Sequence, residues 1–274
     1  MSAAATIARK ELRDASRSGW LVGYAALFCL LALGLSYLGQ RNLGDVGFEN
    51  FSRTTASLVN LCLLLTPLVA LTVGAGAIAG MRERGSLDYL LAQPIERWEL
   101  LAGKFAGLFG AIALATGGGF GAAGLLIAAS APGVDAALYI LLFALVLVLT
   151  AVMLAAGLTA SVVANSRAQA LGMAVMVWFV LVLFFDLVLI GLVSSANLGP
   201  GAMLASILLN PVEIARVLAV VQLEPELEVL GPFGAYVLDS FGRTGASLLL
   251  AGALLAWLAA GCAAAALSFG RRRS

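Results

Sequence analysis

The side chains able to do chemistry are few in this sequence and far apart. Histidine is absent, which excludes imidazole metal ligation and His-based acid–base catalysis. Cys29, Cys62 and Cys262 sit in separate apolar stretches without a CxxC spacing, so neither a disulfide framework nor a zinc site is indicated. Met173 and Met176 have the spacing of a soft-metal pair, but no further thioether or thiol converges on them in sequence, and core packing accounts for them. Gly103-Lys104 lacks the upstream glycine and following Ser or Thr of a phosphate-binding loop, and nothing resembles Walker B or a nucleophile elbow. No acid pair or Ser/Lys pair falls inside an apolar stretch, as intramembrane catalysis would require.

One ionisable group does lie deep in such a stretch: Asp186, in Trp-Phe-Val-Leu-Val-Leu-Phe-Phe-Asp-Leu. A carboxylate at the centre of a bilayer costs about 2.5–3.5 kcal/mol, so it must face the bundle interior or a subunit interface. Two roles are open to it: a coupling or substrate-path contact, or a structural hydrogen bond to Ser194 or Thr159. One carboxylate does not make a proton relay. A secondary transporter would need more intramembrane polar groups and an internal repeat, and neither is evident.

The elements that position these groups follow from composition. Of the 274 residues, 62% are apolar and 11% charged, with a mean hydropathy of +1.03. Soluble domains carry about 25% charge. Most of this surface must therefore face lipid, and nothing in the charge distribution points to nucleic acid. Charge-free intervals long enough to cross a bilayer, about 20 residues at 1.5 Å each, place six helical spans near 20–38, 57–80, 105–130, 137–163, 170–194 and 246–268. They form a single all-α integral membrane domain. The apolar stretch 18–40 is too long for a signal-peptide core and is kept as a span. With the N-terminus inside, twelve of the sixteen Lys and Arg fall on the cytoplasmic side, leaving Arg41, Arg53, Arg216 and Arg243 outside. An odd number of spans would put the basic tail 271–273 outside, so both termini are expected to be cytoplasmic.

Residues 2–17 pattern as an interfacial amphipathic helix, with Ala4, Ile7, Ala8, Leu12 and Ala15 opposite Arg9, Lys10, Arg13 and Arg17. The cytoplasmic loop 81–104 carries three leucines and a tyrosine within a few residues. Ser86 is expected to cap a short helix presenting Leu87, Leu90 and Leu91 on one face, and Gln93-Pro94 to end it. Pro94 then suits the first position of the next helix, with Glu96 third. An ordinary tight loop has little need of such a face, which suits a helix-in-groove contact with a cytoplasmic partner. On the outer side, Asn210-Pro211-Val212-Glu213 has helix-start chemistry and opens a short amphipathic or re-entrant helix, ahead of an acidic run at Glu224, Glu226 and Glu228. It either caps the bundle or receives an external partner. Small-residue pairs at Gly76/Gly80, Gly103/Gly107 and Gly117/Gly121 permit close helix approach.

Ile-Ala-Arg-Lys-Glu-Leu at 7–12, Phe-Ser-Arg-Thr-Thr-Ala-Ser-Leu at 51–58, Pro67-Leu68-Val69-Ala70-Leu71, Arg-Gly-Ser-Leu-Asp-Tyr-Leu-Leu at 84–91 and Leu-Leu-Ala-Gly-Lys-Phe at 100–105 together resemble permeases of ABC-2-type ABC transporters. Val-Trp-Phe-Val-Leu-Val-Leu-Phe-Phe-Asp-Leu at 177–187 and Leu-Leu-Asn-Pro-Val-Glu-Ile-Ala-Arg at 208–216 narrow the resemblance to the branch serving copper-site maturation of nitrous oxide reductase. The resemblance covers almost the whole chain. It implies a non-enzymatic subunit of a bacterial inner-membrane transporter that pairs with a second copy of itself. Two copies of a cytoplasmic ATPase, which hold the ATP and Mg, lie beneath it and a periplasmic accessory protein lies above. No cofactor is expected in this chain. Glu83, Gly85, Leu87, Leu90, Leu91 and Pro94 map onto the family's coupling element, and Asn210, Pro211 and Glu213 onto its outer-surface motif. Where the family often has Gly-Glu-x-Glu, this sequence reads Gly80-Met81-Arg82-Glu83, so only the second acid remains.

Overall fold

The computed structural model describes residues 3–41, 48–130, 135–196, 199–223 and 231–271, and among these every regular element is helical. In chain order they are α1 (Ala3–Ser16), α2 (Gly19–Arg41), α3 (Phe48–Glu83), α4 (Ser86–Leu91), α5 (Arg97–Ser130), α6 (Ala136–Val163), α7 (Arg167–Trp178), a π-helical turn (Phe179–Phe184) running into α8 (Phe185–Ala196), α9 (Pro200–Leu208), α10 (Pro211–Leu223) and α11 (Gly231–Arg271). Six of them are long and apolar enough to cross a membrane: Gly19–Leu38, Thr54–Glu83, Arg97–Ala129, Ala136–Val163, Arg167–Leu189 and Gly231–Arg271. The protein is an all-α, multi-pass membrane protein.

The helices overrun the expected spans at their polar ends. α5 begins at Arg97, eight residues before the charge-free interval, and α11 begins at Gly231 and kinks at Gly242, where φ is 65°. A charge map sees only the hydrocarbon layer, whereas a helix continues as long as its backbone bonds pair.

α3 and α6 form the central seam. A Cβ on Gly157 would stand 2.5 Å from the Leu71 carbonyl oxygen, and one on Gly74 would stand 2.8 Å from the Leu154 carbonyl oxygen, so the two backbones touch. One turn further on, the Ser161 hydroxyl accepts from the backbone N–H groups of Ile78 and Ala79, at 2.8 and 2.9 Å. A second polar node joins three spans: the Tyr24 hydroxyl of α2 meets the hydroxyls of Thr66 (3.3 Å, α3) and Thr116 (3.0 Å, α5). Pro67 lies inside α3 without ending it, and the Trp178 indole donates to the Leu64 carbonyl in the turn before it.

α1 lies against α5 rather than free in the interface. Gly103 and Gly107 admit it, since Cβ atoms there would fall 2.7 Å from the Ala4 oxygen and 2.5 Å from the Ala8 oxygen. Lys104, 3% exposed, is fixed to Glu11 at 2.8 Å beneath that contact. The small-residue signal is therefore real at 103/107. It is not real at Gly121, where a Cβ would meet nothing within 4 Å. Gly107→Val should detach α1, lowering the thermal midpoint of the detergent-solubilised protein by the equivalent of about 1–3 kcal/mol. Gly118→Val, with open space around it, should change the same melting curve little.

The start of α5 also ties the end of the chain. Arg97 donates to the carbonyls of Phe269 (2.9 Å) and Gly270 (3.4 Å). Both terminal helices thus reach the same end of the bundle as α4.

Candidate functional site

α4 follows α3 in the chain and packs against it ahead of α5. Its start is made by Gly85, whose φ of 68° turns the chain out of α3. Ser86 is not the cap expected of it, because its hydroxyl reaches back to the Met81 carbonyl at 3.2 Å. The next helix opens at Arg97 rather than Pro94, with the Glu99 carboxylate accepting from the Glu96 N–H at 3.2 Å in a capping arrangement.

The face of α4 is also turned differently from expectation. Leu87 is buried, within a cluster of Ile78, Met81, Leu100, Leu101, Leu158, Val162, Ala265 and Phe269. Leu90 packs half-buried on the same cluster, and the Leu91 side chain lies outside the described residues. Leu87 therefore does not offer an apolar contact to a partner. A six-residue helix cannot keep a leucine in solvent when its own chain supplies a pocket, and burying that side chain is worth about 1.5–3 kcal/mol. The outward side carries Asp88, Tyr89 (73% exposed), Gln93 and Pro94, with Glu83 exposed beside it. Arg82 turns inward, donating to the Ala164 and Val162 carbonyls at the end of α6. Arg82 thus caps a neighbouring helix C-terminus, where positive charge is favoured.

At the other end of the bundle, α9 and α10 are bent 118° from each other and form a re-entrant hairpin. Its tip is deep. The Leu208 carbonyl accepts from Trp257, midway along α11, at 3.1 Å, whereas Arg243, near the kink, reaches Gln222 at the close of α10 at 2.9 Å. At 1.5 Å per residue the tip lies about 18 Å below Gln222. Asn210 makes the tip as its sequence suggested. Its side-chain oxygen accepts from Val212 N–H at 2.9 Å, and its amide donates to the Leu181 carbonyl at 2.6 Å. Leu181 lies in the π-helical turn, whose wider winding leaves carbonyls available to side chains. Pro211 and Glu213 are buried with it.

Six residues past the tip, Arg216 reaches Asp186. One guanidinium nitrogen, Nη1, lies 3.0 Å from both carboxylate oxygens. The same nitrogen is 2.7 Å from Glu213 Oε1. Asp186 is thus held by an arginine, not by the hydroxyls expected: Thr159 bonds instead to the Ala155 and Gly261 carbonyls, and the Ser194 side chain lies outside the described residues. Arg216 and Glu213, counted by charge among the outer-loop residues, belong to the bundle. The 30-residue separation hid the pair, because only the depth of the hairpin brings the two together. The acidic run Glu224, Glu226 and Glu228 lies outside the described residues. No cluster of His, Cys, Asp and Glu able to hold a metal occurs among the described residues.

Six spans, a short connecting helix at the end where both terminal helices meet, and a polar-tipped re-entrant hairpin at the far end describe a transporter's membrane subunit. The chain belongs to the ABC-2 family: the model of the ABC-2 family transporter proteins matches residues 5–273. It is an ABC transporter permease. Among similar proteins, the probable ABC transporter permease protein NosY of Pseudomonas aeruginosa is 39% identical over 219 residues, 78% of this chain and 80% of that one. The probable ABC transporter permease protein NosY of Stutzerimonas stutzeri is 38% identical over 218 residues, 77% of this chain and 79% of its own.

Proposed function

We propose that this permease converts ATP hydrolysis in a separate cytoplasmic ATPase into transport or mechanical work on a periplasmic partner, and that the work serves copper-site assembly of nitrous oxide reductase. The chain would lie in a bacterial inner membrane, with both termini cytoplasmic, as a pair of copies above two ATPases. The observation that carries the coupling reading is the seat of α4. Leu87 is buried in a cluster to which α3, α5, α6 and α11 all contribute, so a push on this one short helix bears on a core that those four spans share. Close-packed interiors transmit such displacements rather than absorbing them. The outward Tyr89 side is the surface left for the ATPase, with aromatic area suited to an anchor. Glu83 stands near enough to add a polar contact. At the far end, Asn210, Pro211 and Glu213 are buried at the hairpin tip and cannot themselves be the partner contact expected of them; the outer ends of α9 and α10 are the part of the hairpin that would meet the periplasmic partner. Copper-site assembly is supported by the extent of similarity to the two NosY permeases.

Tyr89→Asp should reduce co-purification of the ATPase at least tenfold, as an interface anchor lost to a charge would, while leaving the permease monodisperse; undiminished recovery of the complex would remove α4 as the docking site. The narrower role is tested by the metal content of nitrous oxide reductase isolated from cells lacking this chain. Copper-depleted reductase is expected, and a fully loaded enzyme would reassign the permease to other cargo.

A further inference from the structure

A cleft of about 980 Å³ opens between α1, α3, α4, α5 and α7, at the end of the bundle that carries both termini. Its wall is mixed. Val73, Ala77, Leu108 and Leu171 give it an apolar flank, and Trp20, 65% exposed, stands at its rim where the first span begins. Its charge is not balanced. Lys104 and Glu11 satisfy each other, and the remaining charged lining residues are Lys10, Arg84 and Arg167 against Asp14 alone.

Two of these cations converge. Gly76 and Gly80 leave a bare strip on α3, and the arginines lie across it. From the point where a Gly80 Cβ would stand, Arg84 Nη2 is 3.8 Å away and Arg167 Nε 4.0 Å. Among the described residues neither guanidinium meets a carboxylate or a hydrogen-bond acceptor. Both are exposed to solvent, which screens their repulsion. An anion placed between them would be held by both, and guanidinium geometry matches a phosphate oxygen pair.

We propose that this cleft is a binding site for an anionic phospholipid, with the phosphodiester held between Arg84 and Arg167, Lys10 beside it, and an acyl chain along the apolar flank. The shared ligand chemistry is a phosphate oxyanion; a membrane lipid is favoured over a soluble phosphate by the apolar wall and by the interfacial tryptophan at the rim. The site rests on its own geometry. Only its assignment to the cytoplasmic leaflet rests on the proposed topology, which side-specific labelling tests separately.

Native mass spectrometry of the purified full chain provides the test, with dioleoylphosphatidylglycerol and dioleoylphosphatidylcholine as probes. The protein should retain phosphatidylglycerol about tenfold more strongly than phosphatidylcholine, and Arg84→Gln with Arg167→Gln should abolish that preference. The charge-matched pair Arg9→Gln with Arg13→Gln, outside the cleft, should keep it. Circular dichroism and gel filtration check that both pairs fold. Absence of any lipid preference in the unaltered protein overturns the proposal without reference to the variants, as does an equal loss in the control pair. Displacement of the lipid by millimolar inorganic phosphate would make this a free-oxyanion site. Loss of the lipid on assembly with the ATPase would assign the arginines to an acidic group of that partner.

Discussion

Arg216→Met should destabilise the protein by about 3 kcal/mol, more than any other single change on the re-entrant hairpin. The loss does not measure the worth of an ion pair. Removing the guanidinium leaves Asp186 and Glu213 facing each other at membrane depth without a counter-charge, and breaking such pairs costs about 3–5 kcal/mol. Arg216 and Asp186 side chains are each 33% exposed, which places the effect at the lower end of that range. The signature that separates charge from packing is rescue. Adding Asp186→Asn and Glu213→Gln to Arg216→Met should recover most of the stability, because the carboxylates no longer lack a partner. Thermal unfolding in detergent reads all three proteins. A midpoint unmoved by Arg216→Met, or a triple variant no better than the single one, would show that the cluster does not hold the hairpin.

Gly157→Val should have the largest effect of all, with little or no folded protein recovered. The new Cβ would lie 2.5 Å from the Leu71 carbonyl oxygen and 3.0 Å from the Leu71 Cα. Backbone atoms of a helix already bound to α6 by Ser161 cannot move aside as a side-chain end could. Overpacking typically costs about 1–3 kcal/mol where neighbours can yield, so a backbone clash at the central seam should exceed that. Gly172→Val is the fitting comparison, since nothing lies within 4 Å of it. The yield of monodisperse protein should collapse for position 157 and hold for position 172. Equal yields would mean that α3 and α6 are not in backbone contact.

These two sites also mark what could be read from residues alone. The spans were legible because charge is scarce and its absence is local. The start of α10 at Asn210-Pro211 was legible for the same reason: an Asn cap and a first-position proline act within three residues. The Asp186–Arg216 pair was not, because a hairpin descending into the bundle has the composition of one lying on it. Gly74 and Gly157 escaped notice because a pair facing across two helices has no fixed spacing, whereas Gly103 and Gly107 on one helix do. The π-helical turn is silent in a run of Phe, Val and Leu that suits any helix. On α4, the leucine stripe was visible but its direction was not; periodicity reports that a face is apolar and leaves open whether the face is turned to a partner or to the chain's own core.

The bond from Arg97 to the carbonyls of Phe269 and Gly270 has a practical corollary. The last described turn of α11 is tied to the start of α5, in the cluster that seats Leu87, and α1 meets α5 from Ala4 onward. A purification handle or fluorescent fusion at either extremity would crowd the place where the motor subunit is expected to sit, and could mimic the uncoupled phenotype of an interface mutant. Reporters intended to leave the machine running belong at the opposite end of the bundle, clear of the outer ends of the α9–α10 hairpin.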